Sequence, residues 1–153
     1  MEKFKANDNK NEEHEINYRQ FNKKLELLNQ ILSLISDINQ ASDEKEVKDC
    51  IPALLQYTGE YTDADRVYIF ELMSEKQDYY SNTFEWCREG IVPQIDNLIR
   101  ISADSMPVWH EKFLRGETII IHDLEKIRET MPSEYDILKV QDIHSLLVLP
   151  LFA

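Results

Sequence analysis

Glycine is nearly missing from this chain, with three in 153 residues. So few glycines leave little room for a Gly-rich phosphate loop, and Rossmann and P-loop readings lose ground. Cysteine is scarcer still: Cys50 and Cys87 make neither a disulfide framework nor a CxxC metal site. Positive charge is outnumbered, 17 lysines and arginines against 29 acids, and a formal charge of −12 repels nucleic-acid backbones and anionic membranes alike. Long apolar runs are also lacking. The opening MEKFKANDNKNEEHE has no apolar core of a signal peptide, and the longest apolar stretch, SLLVLPLFA, is strand-length, well short of the roughly 18 residues a membrane span needs. These absences set the expectation of one cytoplasmic globular domain with no nucleic-acid or membrane partner.

What is present begins after a polar start. Residues 1–15 hold too few apolar groups to offset their ordering entropy and read as a disordered tail. Residues 16–40 read as an amphipathic helix. Tyr18, Phe21, Leu25, Leu28, Leu32 and Ile35 are spaced 3-4-3-4-3, the a/d seam of a coiled coil. A second stripe, Leu27, Ile31, Leu34 and Ile38, seats the same helix a second time. One stripe suffices to bury a helix on its own domain; two predict a further helix against it, from this chain or from a second copy. The simpler alternative is a helix half-buried in its own domain.

Ser42-Asp43-Glu44-Lys45-Glu46 is a helix start, with Asp43 and Glu46 as a capping box and Ser42 as the alternative cap. The helix it opens carries Val47, Cys50, Ile51, Leu54 and Leu55 on one face, passes Pro52, and has Gly59 as its expected stop. Residues 66–73 form an apolar strand expected to be buried on both faces. Residues 74–78 are the turn of a hairpin, and 79–87 its return strand, with Tyr80, Asn82, Phe84 and Trp86 on one face. A longer connection leads to a short helix opened by Pro107, with Trp109 and Phe113 at i,i+4 and Gly116 as its end. A third strand over 118–122, a helix from Met131-Pro132, and a fourth strand over 144–153 complete the order. The sum is α+β, an antiparallel sheet with helices layered on it and a long helix ahead.

In order and spacing these pieces resemble a GAF domain, the small-molecule-sensing relative of PAS domains. Four segments carry the resemblance: Asp65-Arg66-Val67-Tyr68-Ile69-Phe70-Glu71; Glu85-Trp86-Cys87-Arg88-Glu89-Gly90-Ile91; Pro107-Val108-Trp109 through Leu114-Arg115-Gly116-Glu117; and Ile143-His144-Ser145-Leu146-Leu147-Val148-Leu149-Pro150-Leu151. The resemblance implies a profilin-like fold, an antiparallel sheet between helical layers over 41–153, with a ligand pocket on one sheet face. It also implies a place in a bacterial signalling protein, upstream of a diguanylate cyclase, phosphodiesterase or histidine kinase. A GAF domain continues past its Leu-Pro-Leu strand with further strands and a closing helix. On that pattern the chain is expected to be a C-terminally incomplete fragment with an unpaired strand, each buried orphan group costing about 1–3 kcal/mol.

The candidate chemistry is thin. Cys87 as a nucleophile needs a lowered pKa and a base; Glu85 works against this, Arg88 for it, and no motif aims a histidine there. Cys50 falls on a helical core stripe, where a thiol behaves as a small apolar group. Bilin-carrying GAF domains resemble one another in a Cys-His pair that is missing here, and neither the multi-cysteine pattern of the methionine sulfoxide reductase type nor the Asn-Lys…Phe…Asp-Glu signature of the cyclic-nucleotide type occurs. His14, His110, His122 and His144 are scattered, without metal-ligand spacing. No cofactor, metal or catalytic residue is expected. Phe84, Trp86, Trp109, Phe113 and Tyr135 remain as candidate pocket walls, with ordinary core packing as the alternative. The expected function is a non-catalytic sensory or regulatory module that binds a small molecule and relays to an output domain. It would dimerise through Tyr18, Phe21, Leu25, Leu28, Leu32 and Ile35. A ligand-free dimerisation module is the alternative.

Overall fold

A computed structural model describes the backbone of residues 2–74 and 78–152, and side chains from residue 14 onward. The elements run α1 (Glu2–Gln40), α2 (Glu44–Thr62), β1 (Arg66–Ser74), β2 (Asp78–Cys87), β3 (Ile101–Ser102), α3 (Pro107–Leu114), β4 (Ile119–Ile121), α4 (Pro132–Lys139) and β5 (Leu146–Val148). Short 3-10 turns at Ile95–Asn97, Ala103–Ser105 and Leu124–Ile127 link them. Contacts divide the chain into two compact units, Met1–Ile69 with Phe84–Pro93, and Phe70–Thr83 with Gln94–Ala153. The division runs through β1 and β2 and does not follow the sequence boundary at 40/41.

In the first unit α1 packs along α2. Leu27 is buried, and Ile31, Leu34 and Ile38 are half-buried beside it. The other stripe, Tyr18, Phe21, Leu25, Leu28, Leu32 and Ile35, lies exposed, from 36% at Leu28 to 66% at Tyr18. The tail–helix boundary expected at residue 16 has no counterpart in the backbone, which is helical from Glu2. Extending a helix costs less than nucleating one, and the Lys/Glu-rich start contains no breaker.

The start of α2 carries the cap its sequence encodes. The Asp43 carboxylate accepts from the Glu46 amide at 2.9 Å, while the Glu46 carboxylate accepts from the Ser42 amide at 2.7 Å and its hydroxyl at 3.0 Å. Ser42 and Asp43 thus share the box between them. Gly59 does not end the helix, which continues to Thr62 and is closed by Asp63 in the left-handed region at φ 58°. Gly59 serves Trp86 instead: a Cβ there would lie 2.1 Å from the indole ring. The glycine is a docking flat for the tryptophan.

β1, β2 and β3 form an antiparallel-paired sheet in that order, with Tyr79 opposite Ser102 and Tyr80 opposite Ile101. The hairpin turn lies partly outside the described residues; beside it the Ser74 hydroxyl donates to Asp78 at 2.6 Å. The double-sided burial expected of β1 is not found. Phe70 and Leu72, two residues apart on one face of β1, are exposed.

In the second unit β4 and β5 pair antiparallel, Ile119 opposite Val148 and Ile121 opposite Leu146. Ile119 and Ile121 point into a core with Tyr80, Ala103, Met106, Trp109, Leu124, Tyr135 and Leu138. Ile120 and its partner Leu147 face outward, as period-two alternation requires. β5 is much shorter than the ten-residue strand expected. Its partner β4 offers three residues, Pro150 has no N–H to donate, and Leu151 beyond is 86% exposed.

Candidate functional site

The five aromatic candidates fall in different units. Phe84 and Trp86 are half-buried in the first, Trp86 against Gly59. Trp109, Phe113 and Tyr135 are brought together in the core of the second. There Trp109 and Phe113 meet edge-to-face at 6.0 Å, and Tyr80 meets Phe113 the same way at 5.9 Å. Such contacts hold rings rigidly.

The core is built around the start of α3. Pro107 occupies the first helical turn, where its missing N–H is harmless, but Met106 before it supplies no side-chain cap. Glu134, on α4, supplies it instead. Its Oε1 accepts from the Val108 amide at 2.8 Å and the Trp109 amide at 3.2 Å. Glu134 is 1% exposed, the most buried side chain described. Its second oxygen, Oε2, and the Trp109 indole Nε1 are both buried without a hydrogen-bond partner among the described residues. Trp109 is one of the five aromatic candidates, but Glu134 was not visible in the sequence, where it reads as one more acid in a helix start.

Tyr80 extends the cluster. Its hydroxyl shares a 2.8 Å hydrogen bond with Nδ1 of His110, which is half-buried, and burial pushes the phenol above its ordinary pKa. At the other end, the Tyr135 hydroxyl donates to the Glu125 carboxylate at 3.0 Å, and Lys139 donates to both, at 2.7 and 2.6 Å. The Lys139 ammonium, then the Tyr135 hydroxyl, hold the Glu125 carboxyl below the usual carboxylate range.

Beside this lies an open groove of about 560 Å³, lined by His122, Asp123, Glu125, Lys126, Lys139 and His144 among others. Its walls are mostly charged or polar, with Leu124 and Ile143 among them, and none of the five aromatic candidates lines it. No three His, Cys, Asp or Glu among the described residues come together as a metal site.

The stretch 84–91 is structural in its contacts. Arg88 donates to Asp63 at 2.7 Å and to the Ala64 carbonyl at 3.0 Å, and its amide bonds the Asp65 carbonyl. It clasps the junction of α2 and β1. Burial, then the Glu85 carboxylate, push the Cys87 thiol above its ordinary pKa, with Arg66 opposing. That direction works against a thiolate nucleophile at Cys87.

No family model matches the chain. A methanogenesis regulatory histidine kinase, FilI of Methanothrix harundinacea (strain 6Ac), is 30% identical over 111 residues, 70% of this chain. The chain spans about 12% of that kinase's length. Among solved structures, the far-red absorbing dark state of JSC1_58120g3 with bound biliverdin IXa superposes with a TM-score of 0.56 at 13% identity, over 78% of this chain and 73% of the other. Among the described residues no helix is long and apolar enough to cross a membrane. At that identity the structural likeness carries the fold alone: α+β, antiparallel strands behind a long N-terminal helix, of the GAF-like type.

Proposed function

We propose that this chain is a non-catalytic sensory module of a signal-transduction protein, which binds a small molecule and passes the event to an output domain such as a histidine kinase. The observation that carries this reading is the 111-residue likeness to part of a regulatory histidine kinase. The GAF-like fold supports it, since the superposed neighbour was solved with a small molecule bound. Of the five aromatic candidates, Trp109, Phe113 and Tyr135, which share one core, are the proposed walls, and the exposed α1 stripe is the proposed seam of a homodimer. A ligand acts in such a module only by its difference in affinity for two packing states.

The test is native mass spectrometry of the purified chain after exposure to a metabolite extract. A retained small molecule, lost in Trp109→Ala and in Phe113→Ala, is the expected result. Retention unchanged in both variants moves the ligand away from these walls. A chain that retains nothing favours the second reading, a ligand-free dimerisation module, which the exposed stripe of α1 supports by itself.

A further inference from the structure

The groove beside α4 is sized for a small molecule, at about 560 Å³, and its lining charges are mixed: Asp123, Glu125 and Asp142 against Lys126 and Lys139. A free anion there meets three carboxylates, and a free cation meets two lysines. Distances sort these charges into one tight set and two loose pairs. Glu125 and Lys139 lie 2.7 Å apart, and the Tyr135 hydroxyl bonds both, at 3.0 and 2.6 Å. That set is held by its own hydrogen bonds. Lys126 stands 3.6 Å from Asp123, and Asp142 stands 3.7 Å from His144 Nε2, both beyond hydrogen-bond length. Asp123 is engaged elsewhere, since its Oδ1 accepts from the Glu125 amide at 3.1 Å. Exposed pairs at such lengths contribute little, so exchanging one partner for another costs little. One loose cation and one loose anion thus line the same groove, with the apolar side chains of Leu124 and Ile143 in its walls.

We infer that this groove is a binding site for a small zwitterion, a molecule with an ammonium and a carboxylate on one short carbon chain. Its carboxylate accepts from the Lys126 ammonium, its ammonium donates to the Asp142 carboxylate, and its methylenes lie on Leu124 and Ile143. Glu125, Lys139 and Tyr135 form the fixed frame. A ligand held at both ends links the 3-10 turn Leu124–Ile127, which carries Lys126, to the loop between α4 and β5, which carries Asp142. The groove shares Tyr135 with the aromatic walls proposed above, through the hydroxyl that steadies its frame, and it stands or falls independently of them.

Glycine, 4-aminobutanoate and 6-aminohexanoate are the probes, which space the two charges at three lengths. Each is compared with the primary amine and the carboxylic acid of the same chain length. Imidazole signals of His122 and His144 are followed by NMR in the whole chain, at neutral pH and constant ionic strength. At least one zwitterion is expected to shift them saturably, and its single-charge counterparts to bind at least about tenfold more weakly. Lys126→Met and Asp142→Asn are each expected to weaken the zwitterion by a similar factor. Both side chains are exposed, and asparagine tolerates the left-handed backbone that Asp142 adopts, at φ 57°, so both variants keep the fold. If no zwitterion gives a saturable shift, if an amine or an acid alone binds as well, or if either variant binds as tightly as wild type, the site is wrong. None of those outcomes touches the aromatic walls, which the metabolite extract tests through Trp109→Ala and Phe113→Ala.

Discussion

Gly59 and Trp86 show how one side chain can depend on the absence of another. A helix-interior glycine costs about 1 kcal/mol relative to alanine, so propensity alone favours Gly59→Ala. The indole ring lies where the new methyl would go, 2.1 Å from the built Cβ, and overpacking of this kind costs about 1–3 kcal/mol. Gly59→Ala is therefore expected to lower the urea midpoint, and Trp86→Leu in the same chain to recover part of the loss. A gain in stability on the single substitution would show that the indole is free to move. Tyr68 gives a second test. Burial pushes its hydroxyl up to about 12. A raised folded pKa stabilises below the unfolded value near 10 and loses that contribution as pH rises toward 12. The chain should thus lose stability across that alkaline window, and Tyr68→Phe should flatten the loss. An ultraviolet titration in which Tyr68→Phe removes no late-ionising phenol would contradict the assignment.

At the scale of elements, local rules held where partners are near in sequence. The Asp43–Glu46 cap, the Pro107 start of α3 and the Gly116 stop, at φ 72°, were legible because each is settled within one turn of chain. Asp43→Ala is expected to cost about 1 kcal/mol, read as a lower thermal midpoint with α2 fraying first in amide exchange. The Trp109–Phe113 pair was legible from its i,i+4 spacing, although Tyr80, which meets Phe113 from a distant strand, was not. Glu134 and Arg88 are the clearest omissions. Each caps or clasps an element some 25 residues off, and no local pattern marks an acid or an arginine for such work. β3, two residues long, is too short to carry a period at all. The extent of β1 burial and of β5 was overestimated for one reason: an apolar run records what a strand could bury, while its neighbours decide what it does bury.

For the molecule as a whole, the question is what meets the uncovered side of α1. The stripe from Tyr18 to Ile35 runs about 26 Å along the helix and is apolar throughout, while the chain otherwise carries a charge of −12. A second copy offers the same stripe in return, which a self-complementary interface requires. Leu28→Glu with Ile35→Glu leaves the α2-facing residues untouched and is expected to convert a dimer to a monomer in sedimentation. A dimer that survives the pair would place the seam elsewhere. The continuity of α1 has a further consequence. Each residue inserted between Tyr18 and Leu25 turns everything before it by about 100° relative to the part braced on α2, and seven restore the original phase to within about 20°. Such a helix keeps count, so insertions of one to seven residues should make association oscillate with their number instead of declining steadily.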